Sequence, residues 1–325
     1  MKSKDILVTG GAGYIGAHMV RLLLENGYRP VVFDNLSTGF RGSIPQGVPF
    51  VKGDLRRAAD VKKFFDRHAV DAVMHFAGST VVSESVHDPL KYYENNISST
   101  INLLKALMDR KVGRFIFSST AAMYGNVKDF PLTEQTVPRP TNPYTWTKAA
   151  VDHILSDVAS VGNFRYVSFR YFNVAGAHSS GEIGFTLRNS TFLVPNIMAV
   201  LTGRKKNLEV FGHDYDTPDG TCIRDYIYVM DLCQAHLMAL KALEKGMNSD
   251  IFNLGTAHGH SVKEVVDAAQ RIFGKKIPMI MKPRRPGDVP KSVADYKKAL
   301  KILGWRPKAD LETILETAWK WEEKK

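Results

Sequence analysis

The sequence predicts an α/β fold: a Rossmann-type, doubly wound parallel sheet with a smaller α/β substrate lobe. Three observations carry this. Short apolar runs alternate with amphipathic stretches through the first half of the chain, the pattern of consecutive βαβ units. A glycine-rich turn, Gly10-Gly11-Ala12-Gly13-Tyr14-Ile15-Gly16, joins the first apolar run to the first helical stretch. An acid, Asp34, ends the second run, 18 residues after Gly16. At 325 residues the chain exceeds the usual single-domain size, which suits a large core with an attached lobe.

Taken in order, strands are predicted over residues 6–9, 30–34, 49–53, 72–77, 114–118 and 165–170. Amphipathic helices are predicted over 16–26, 59–68, 92–110 and 144–160. After Asn173 the texture changes. Residues 174–220 are rich in Gly, Ser, Thr, Asn and His, with one apolar helical stretch near 192–201. A strand over 223–229, helices over 231–244 and 261–273, and a Pro/Arg/Gly loop over 282–290 follow. This divides the chain into a nucleotide-binding domain, 1–176 with 222–255, and a second lobe, 177–221 with 256–325.

Composition narrows the function classes. With 44% hydrophobic and 24% charged residues the chain reads as soluble and globular. No apolar run approaches the roughly 18–20 residues of a membrane helix. The apolar stretch Ile6-Leu7-Val8 runs directly into glycines, unlike a signal peptide, so a cytoplasmic protein is expected. The two cysteines, Cys222 and Cys233, lack metal-ligand spacing and suit a reducing compartment. The net charge of +11 is dispersed along the chain, so neither nucleic acid nor a membrane is an expected partner. A solvated basic surface and a local positive field for a polyphosphate ligand both fit that charge.

The glycines at 10, 13 and 16 allow a tight turn, close approach of a pyrophosphate, and helix packing on the strand. The helix N-terminus then offers N–H groups and a positive dipole to phosphates. Asp34 would accept hydrogen bonds from ribose hydroxyls, and its charge would repel a 2′-phosphate, so NAD is favoured over NADP. A plain turn residue is the competing reading of Asp34. Asp54, after the third strand, suits either an adenine contact or a helix N-cap.

A chemical site follows. The fifth strand ends in Ser118-Ser119-Thr120-Ala121-Ala122-Met123-Tyr124, and Pro143-Tyr144-Thr145-Trp146-Thr147-Lys148 opens a helix. The i, i+4 spacing places Tyr144 and Lys148 on one helix face. A free phenol, with a pKa of about 10, is a poor base near neutrality. A neighbouring lysine ammonium would favour the phenolate, letting Tyr144 exchange a proton with a substrate hydroxyl. Thr120 would hydrogen-bond the same oxygen.

These motifs, with His75-Phe76-Ala77-Gly78 and Asp34-Asn35, resemble the extended short-chain dehydrogenase/reductases. Within them the chain is similar to the UDP-glucose (UDP-galactose) 4-epimerases. The further motifs that carry this are Arg170-Tyr171-Phe172-Asn173-Val174-Ala175-Gly176-Ala177, Phe211-Gly212-His213-Asp214-Tyr215 through Gly220, Arg224-Asp225-Tyr226-Ile227-Tyr228-Val229 and Arg285-Pro286-Gly287-Asp288.

The resemblance implies an NAD-binding first domain and a UDP-sugar-binding second lobe, with no metal. It places Gly10, Gly13, Tyr14, Ile15, Gly16, Asp34, Asn35, Asp54, Leu55, Phe76, Ala77, Gly78, Asn96, Ser118, Tyr144, Lys148 and Tyr171 at NAD. A satisfied structural amide competes for Asn96. Substrate contacts are implied for Thr120, Tyr144, Asn173, Phe192, Leu193, Phe211, Arg224, Arg285, Asp288 and Ser292. Tyr144, Lys148 and Thr120 would be catalytic, with Lys148 also holding the nicotinamide ribose. Asn173 would contact the diphosphate, Phe211 would lie against uracil, and Arg224 and Arg285 would neutralise phosphates. Core packing for Phe211 and ordinary ion pairs for the arginines are the plainer alternatives.

The implied reaction removes the sugar 4-OH proton and the C4 hydride, passes through a 4-keto sugar, and returns hydride to the other face. The implied assembly is a homodimer through the helices over 92–110 and 144–160.

The chain departs from the family at three places. Phe192 stands where Asn or His is common, and Thr80 where some members carry Lys. Ser292 falls at a gate where a bulky Tyr excludes N-acetylated sugars, which points to UDP-N-acetylhexosamines as additional substrates; an exposed loop serine is the plainer reading. Sister 4,6-dehydratases carry an Asp-Glu pair after the Thr, and Ala121-Ala122 here argue against dehydration. UDP-glucuronate or UDP-pentose epimerisation, and a non-catalytic NAD-binding protein, stay as alternatives.

Overall fold

The computed structural model describes residues 4–127, 130–187, 190–285 and 287–325. Pro286 of the fourth substrate motif lies outside them. Along the chain run β1 (Asp5–Thr9), α1 (Tyr14–Glu25), β2 (Arg29–Asp34), β3 (Phe50–Lys52), α2 (Ala58–Phe65), β4 (Ala72–His75), α3 (Val82–His87), α4 (Pro89–Tyr92), α5 (Ser99–Asp109), β5 (Arg114–Ser118), α6 (Pro143–Ser160) and β6 (Arg165–Tyr171). Then come β7 (Asn173–Ala175), α7 (Leu193–Leu201), β8 (Leu208–Phe211), β9 (Ile223–Arg224), β10 (Tyr226–Tyr228), α8 (Val229–Glu244), β11 (Asp250–Leu254), β12 (His260–Ser261), α9 (Val262–Phe273), β13 (Met279–Lys282), β14 (Lys291–Ser292), α10 (Lys297–Leu303) and α11 (Leu311–Lys324).

Two compact units emerge. The first comprises Met1–Met123, Pro140–Arg170 and Cys233–Phe252; the second comprises Tyr124–Arg139, Tyr171–Leu232 and Asn253–Lys325.

In the first unit the strands form a sheet ordered β11-β6-β5-β4-β1-β2-β3. The registers from β3 through β6 are parallel, with Leu7 opposite both Val31 and Val73. This is the α/β Rossmann arrangement the sequence predicts. Strands such as β1, β4 and β5 are buried along almost their whole length, so their near-continuous apolar runs belong to a sheet covered by helices. The core runs through Leu7, Phe33, Val73, Phe115 and Phe117, with Phe64, Leu103, Leu107, Val151 and Leu155 from flanking helices. The strand order reverses between β1 and β4, the switch point where such sheets bind ligands.

The predicted helix over 92–110 is interrupted. A one-turn π-helix, Tyr93–Ser98, separates α4 from α5. In the second unit β7 pairs with β10, β9 lies between β12 and β14, and β8 pairs with β13. Among the described residues no helix is long and apolar enough to cross a membrane.

Candidate active site

The glycine turn is built by close approach. Gly10 has φ +68°, and a Cβ there would lie 2.6 Å from Ala77 N, so the turn sits directly on the segment leaving β4. A Cβ on Gly16 would lie 2.2 Å from Gly10 O. Gly13 is the N-cap of α1, and no side chain caps the N-terminus of that helix. Asp34 ends β2 beside the turn: Ala12 N–H donates to Oδ2 at 3.0 Å and Leu36 N–H to Oδ1 at 2.7 Å. Burial pushes the Asp34 carboxyl up, and these two N–H groups pull it back. Each carboxylate oxygen keeps a second lone pair for a hydroxyl donor. A strand-end acid, a 12-residue helix with no side-chain cap at its N-terminus and a turn with no room for Cβ atoms fit a dinucleotide of the NAD type.

Two expected cofactor contacts are already engaged by protein groups. Asp54 is bound by its neighbour Arg56 at 2.6 Å, which holds the carboxyl down at about 2. It does not cap α2, whose N-cap is Arg57. Asn35 Nδ2 reaches Asp54 at 3.4 Å, and Leu55 is buried behind them. Asn96, in the π turn, accepts from Ser79 N at 2.8 Å and donates to Ser79 O and Thr147 Oγ1. Its amide is hydrogen-bonded on both ends.

The segment after β4 links the turn to the chemical residues. A Cβ on Gly78 would meet Asn96 Oδ1 at 3.0 Å and Lys148 Nζ at 3.6 Å. Phe76 N–H donates to Thr9 O at 3.0 Å. Lys148 and Tyr144 lie on α6, where Asn142 accepts from Thr145 N at 3.0 Å in a reciprocal capping box and Pro143 takes the first position. That cap fixes the phase of the helix and turns both residues inward, where they are buried. Lys148 Nζ donates to Ser118 O at 2.8 Å and stands 4.8 Å above the Phe117 ring. Thr120 follows β5, accepts from Ala122 N at 3.2 Å, and is hydrogen-bonded to the Tyr144 hydroxyl.

The electrostatics correct one expectation. Burial pushes the Tyr144 phenol up, and the Thr120 hydroxyl is the group that opposes it. The lysine-driven depression expected from spacing is not seen: Lys148 is not among the groups that shift the phenol, and its ammonium hydrogen-bonds Ser118 O. Lys148 itself is lowered to about 8 by burial, with Asp152 opposing.

Sequence reasoning missed a buried network here. Thr100 Oγ1 donates to Asn96 O at 2.6 Å, so it accepts from His75 Nε2 at 2.9 Å; His75 Nδ1 then accepts from Thr9 Oγ1 at 2.6 Å. Burial lowers His75 to about 3, so the ring is neutral. Residues from β1, β4, α5 and the π turn are thus held in one hydrogen-bonded chain that ends at Thr147, beside Lys148. His75 stood in a quoted motif, but its partners are far away in sequence.

The second unit gathers the other candidates. The Arg285 guanidinium lies 3.8 Å from the Phe211 ring centroid, and its Nη1 donates to Thr191 O at 3.4 Å, next to Phe192. Phe192 is exposed and Leu193 begins α7. Asp288 approaches Arg224 at 3.8 Å. Ser292 pairs in register with Arg224 and is half-buried on β14, so it is a strand residue and not an exposed loop serine. Asn173 N–H donates to Asp225 O at 3.1 Å, and its side chain is hydrogen-bonded to Tyr226. Tyr171 ends β6 and is buried. Among the described residues no group of His, Cys, Asp and Glu could hold a metal ion.

Comparison with known proteins agrees with this geometry. The NAD dependent epimerase/dehydratase family matches residues 6–255. The UDP-glucose 4-epimerase of Lactobacillus helveticus is 45% identical over 317 residues, 97% of this chain and 96% of its own. Among solved structures, the UDP-glucose 4-epimerase of Brucella ovis in complex with NAD superposes with a TM-score of 0.93 at 44% identity, covering 98% of each chain. That of Bifidobacterium longum in complex with NAD+ and UDP gives 0.93 at 38%, again covering 98% of each.

Proposed function

We infer the activity from one premise: this chain belongs to the NAD dependent epimerase/dehydratase family, and within it to the UDP-glucose 4-epimerases. It is a UDP-hexose 4-epimerase that interconverts UDP-glucose and UDP-galactose with NAD. The observation that carries this is the buried Tyr144–Thr120 pair with Lys148 one helical turn on, in a chain similar to such enzymes over nearly its whole length.

NAD would be held by the turn from Gly10 to Gly16 and by Asp34, and when bound it supplies a reversible hydride acceptor for sugar C4. The protein handles the proton. Tyr144 Oη takes it from the 4-hydroxyl and returns it to the same oxygen after inversion. Thr120 Oγ1 hydrogen-bonds that oxygen and fixes its direction. Lys148, as an ammonium, donates to a ribose hydroxyl. Arg224 and Arg285 offset the diphosphate charge, and Phe211, covered on one face by Arg285, offers its other face to uracil. Ala121 and Ala122 supply no acid or base for water elimination.

A panel of UDP-sugars, with products separated by chromatography, tests this. UDP-glucose and UDP-galactose are expected to interconvert without net reduction of NAD. The serine at 292 leads us to expect UDP-N-acetylglucosamine to turn over as well; an inert N-acetyl sugar beside active UDP-galactose refutes that extension alone. Turnover of only UDP-glucuronate or a UDP-pentose, or none at all, refutes the main assignment.

We assign the enzyme to the cytoplasm as a homodimer. Both cysteines are free and buried, which suits a reducing compartment. The dimer is supported by Val86, Leu90, Tyr93 and Trp146, large hydrophobic side chains exposed on α3, α4, the π turn and α6. Sedimentation of the purified protein at micromolar concentration should give twice the chain mass; a monomer overturns the dimer.

A further inference from the structure

Asp152 stands four residues beyond Lys148 on α6, so Tyr144, Lys148 and Asp152 step along one helix face at i, i+4 and i+8. All three side chains are buried. A carboxylate on an interior helix face is costly unless its charge is answered. Here Ser168 Oγ donates to Oδ1 at 2.5 Å and Arg170 Nε donates to Oδ2 at 3.0 Å. Ser168 and Arg170 are two residues apart on β6, so both project from the same side of the strand. The Asp152 and Arg170 side chains are only 5% and 8% exposed.

A buried ion pair adds little to stability compared with apolar side chains of the same volume. Its neighbour suggests its use. Lys148 is a buried cation whose ammonium form is opposed by dehydration, and the Asp152 carboxylate is the group that supports it. Tyr144 stands one turn back on the same helix, neutral His75 on β4 feels the Lys148 charge, and Arg170 on β6 is bonded to Asp152. Ser118 O and the Phe117 ring also lie beside Lys148. Asp152 is the carboxylate among these groups.

We propose that Asp152 is the counter-charge that keeps Lys148 an ammonium during the reaction, and that Arg170 sets how much of that charge Lys148 feels. This rests on reading Tyr144 and Lys148 as the proton-handling pair. Asp152 is a positioning residue: it acts through Lys148 and contacts neither substrate nor cofactor.

The proposal predicts displacements toward lower pH wherever the Asp152 charge is weakened. The alkaline limb of kcat/KM reports loss of the Lys148 proton, near pH 8 in the unaltered enzyme. Asp152→Asn removes the supporting charge, so the limb should move to lower pH by about one unit. Arg170→Gln removes the cation that opposes the upward push of burial on the Asp152 carboxyl, so Asp152 takes up its proton more readily and the limb should also move to lower pH. Asp152→Glu should restore the original position. Ser168→Ala, which removes one hydrogen bond to the carboxylate and no charge, gives a folded comparison if Asp152→Asn fails to fold, and should move the limb slightly downward. Limbs that stay in place in the folded variants, or that move to higher pH in Asp152→Asn or Arg170→Gln, overturn the proposal. Lys148→Met separates the two levels. If it leaves turnover intact, the underlying reading fails; if it abolishes turnover while the limbs stay fixed, only the role of Asp152 fails.

Discussion

Replacing Tyr144 with Phe is expected to lower turnover of UDP-galactose by roughly 10²–10⁴-fold, the range associated with loss of a positioned general acid–base group. The substitution removes one oxygen and little else. The ring is buried and meets Tyr92 edge-on at 6.4 Å, and a phenyl group keeps both the volume and that contact. The lost hydrogen bond with Thr120 costs about 1 kcal/mol of stability, too little to unfold the unit. The turn from Gly10 to Gly16 and Asp34, the main groups proposed to hold NAD, make their hydrogen bonds to other partners than the phenolic oxygen. NAD affinity, read by calorimetry, should therefore stay within a few-fold of the unaltered enzyme while epimerisation collapses. Equal losses of binding and turnover would mean that Tyr144 shapes the cofactor site. Unchanged turnover would remove it from the chemistry altogether.

Much of this site was legible because its signals are local. The turn from Gly10 to Gly16, Asp34 at the end of β2, and Tyr144 with Lys148 on one helix face all depend on spacing within a single element, and spacing survives folding. The interrupted helix between residues 89 and 109 shows where that stops. Its apolar pattern is continuous, but Asn96 spends its side chain on Ser79 and Thr147, and the backbone there runs as a π turn. Such a contact has no signature in the residues between 92 and 110. The short strands β8 and β13 escaped for a different reason. They pair with each other and are partly exposed, so neither carries the long apolar run that marked the central sheet.

Charge was the least legible property. The spacing of Tyr144 and Lys148 states that the two are neighbours, but says nothing about how much water each loses. Dehydration raises one and lowers the other, and the residue that opposes the shift in Lys148 lies one further turn along the same face. Asp152 was readable in principle, since an acid at i+8 from a candidate base falls on the buried face of a helix whose phase was already known. Its partners Ser168 and Arg170 come from β6, and only the packing of α6 against that strand brings them in.

The other large effect is expected from Gly16→Ala, and its sign runs against helix propensity. Gly16 lies in the first turn of α1 with no positive φ, and alanine in a helix is normally favoured over glycine by about 1 kcal/mol. Space reverses the outcome. The new Cβ would lie 2.2 Å from Gly10 O and 2.8 Å from Gly11 Cα. Gly10 cannot retreat, because its carbonyl accepts from Gly13 N at 3.0 Å, its N–H donates to Phe33 O at 3.0 Å, and its Cα is already against Ala77. Either α1 lifts from the strand or the turn opens, and both displace the N–H groups meant for the pyrophosphate. Overpacking of this kind costs about 1–3 kcal/mol. We expect a lowered Tm together with a loss of NAD affinity of at least about tenfold, since 1.4 kcal/mol of misplacement already amounts to that factor. Gly162→Ala is the control: it too lacks a positive φ, and its Cβ would meet only the flexible end of Met108 at 3.4 Å. It should leave NAD affinity unchanged, and Tm unchanged or raised. If Gly16→Ala behaved like that control, the turn would have room that the structure denies it, and the dinucleotide assignment would lose its steric basis.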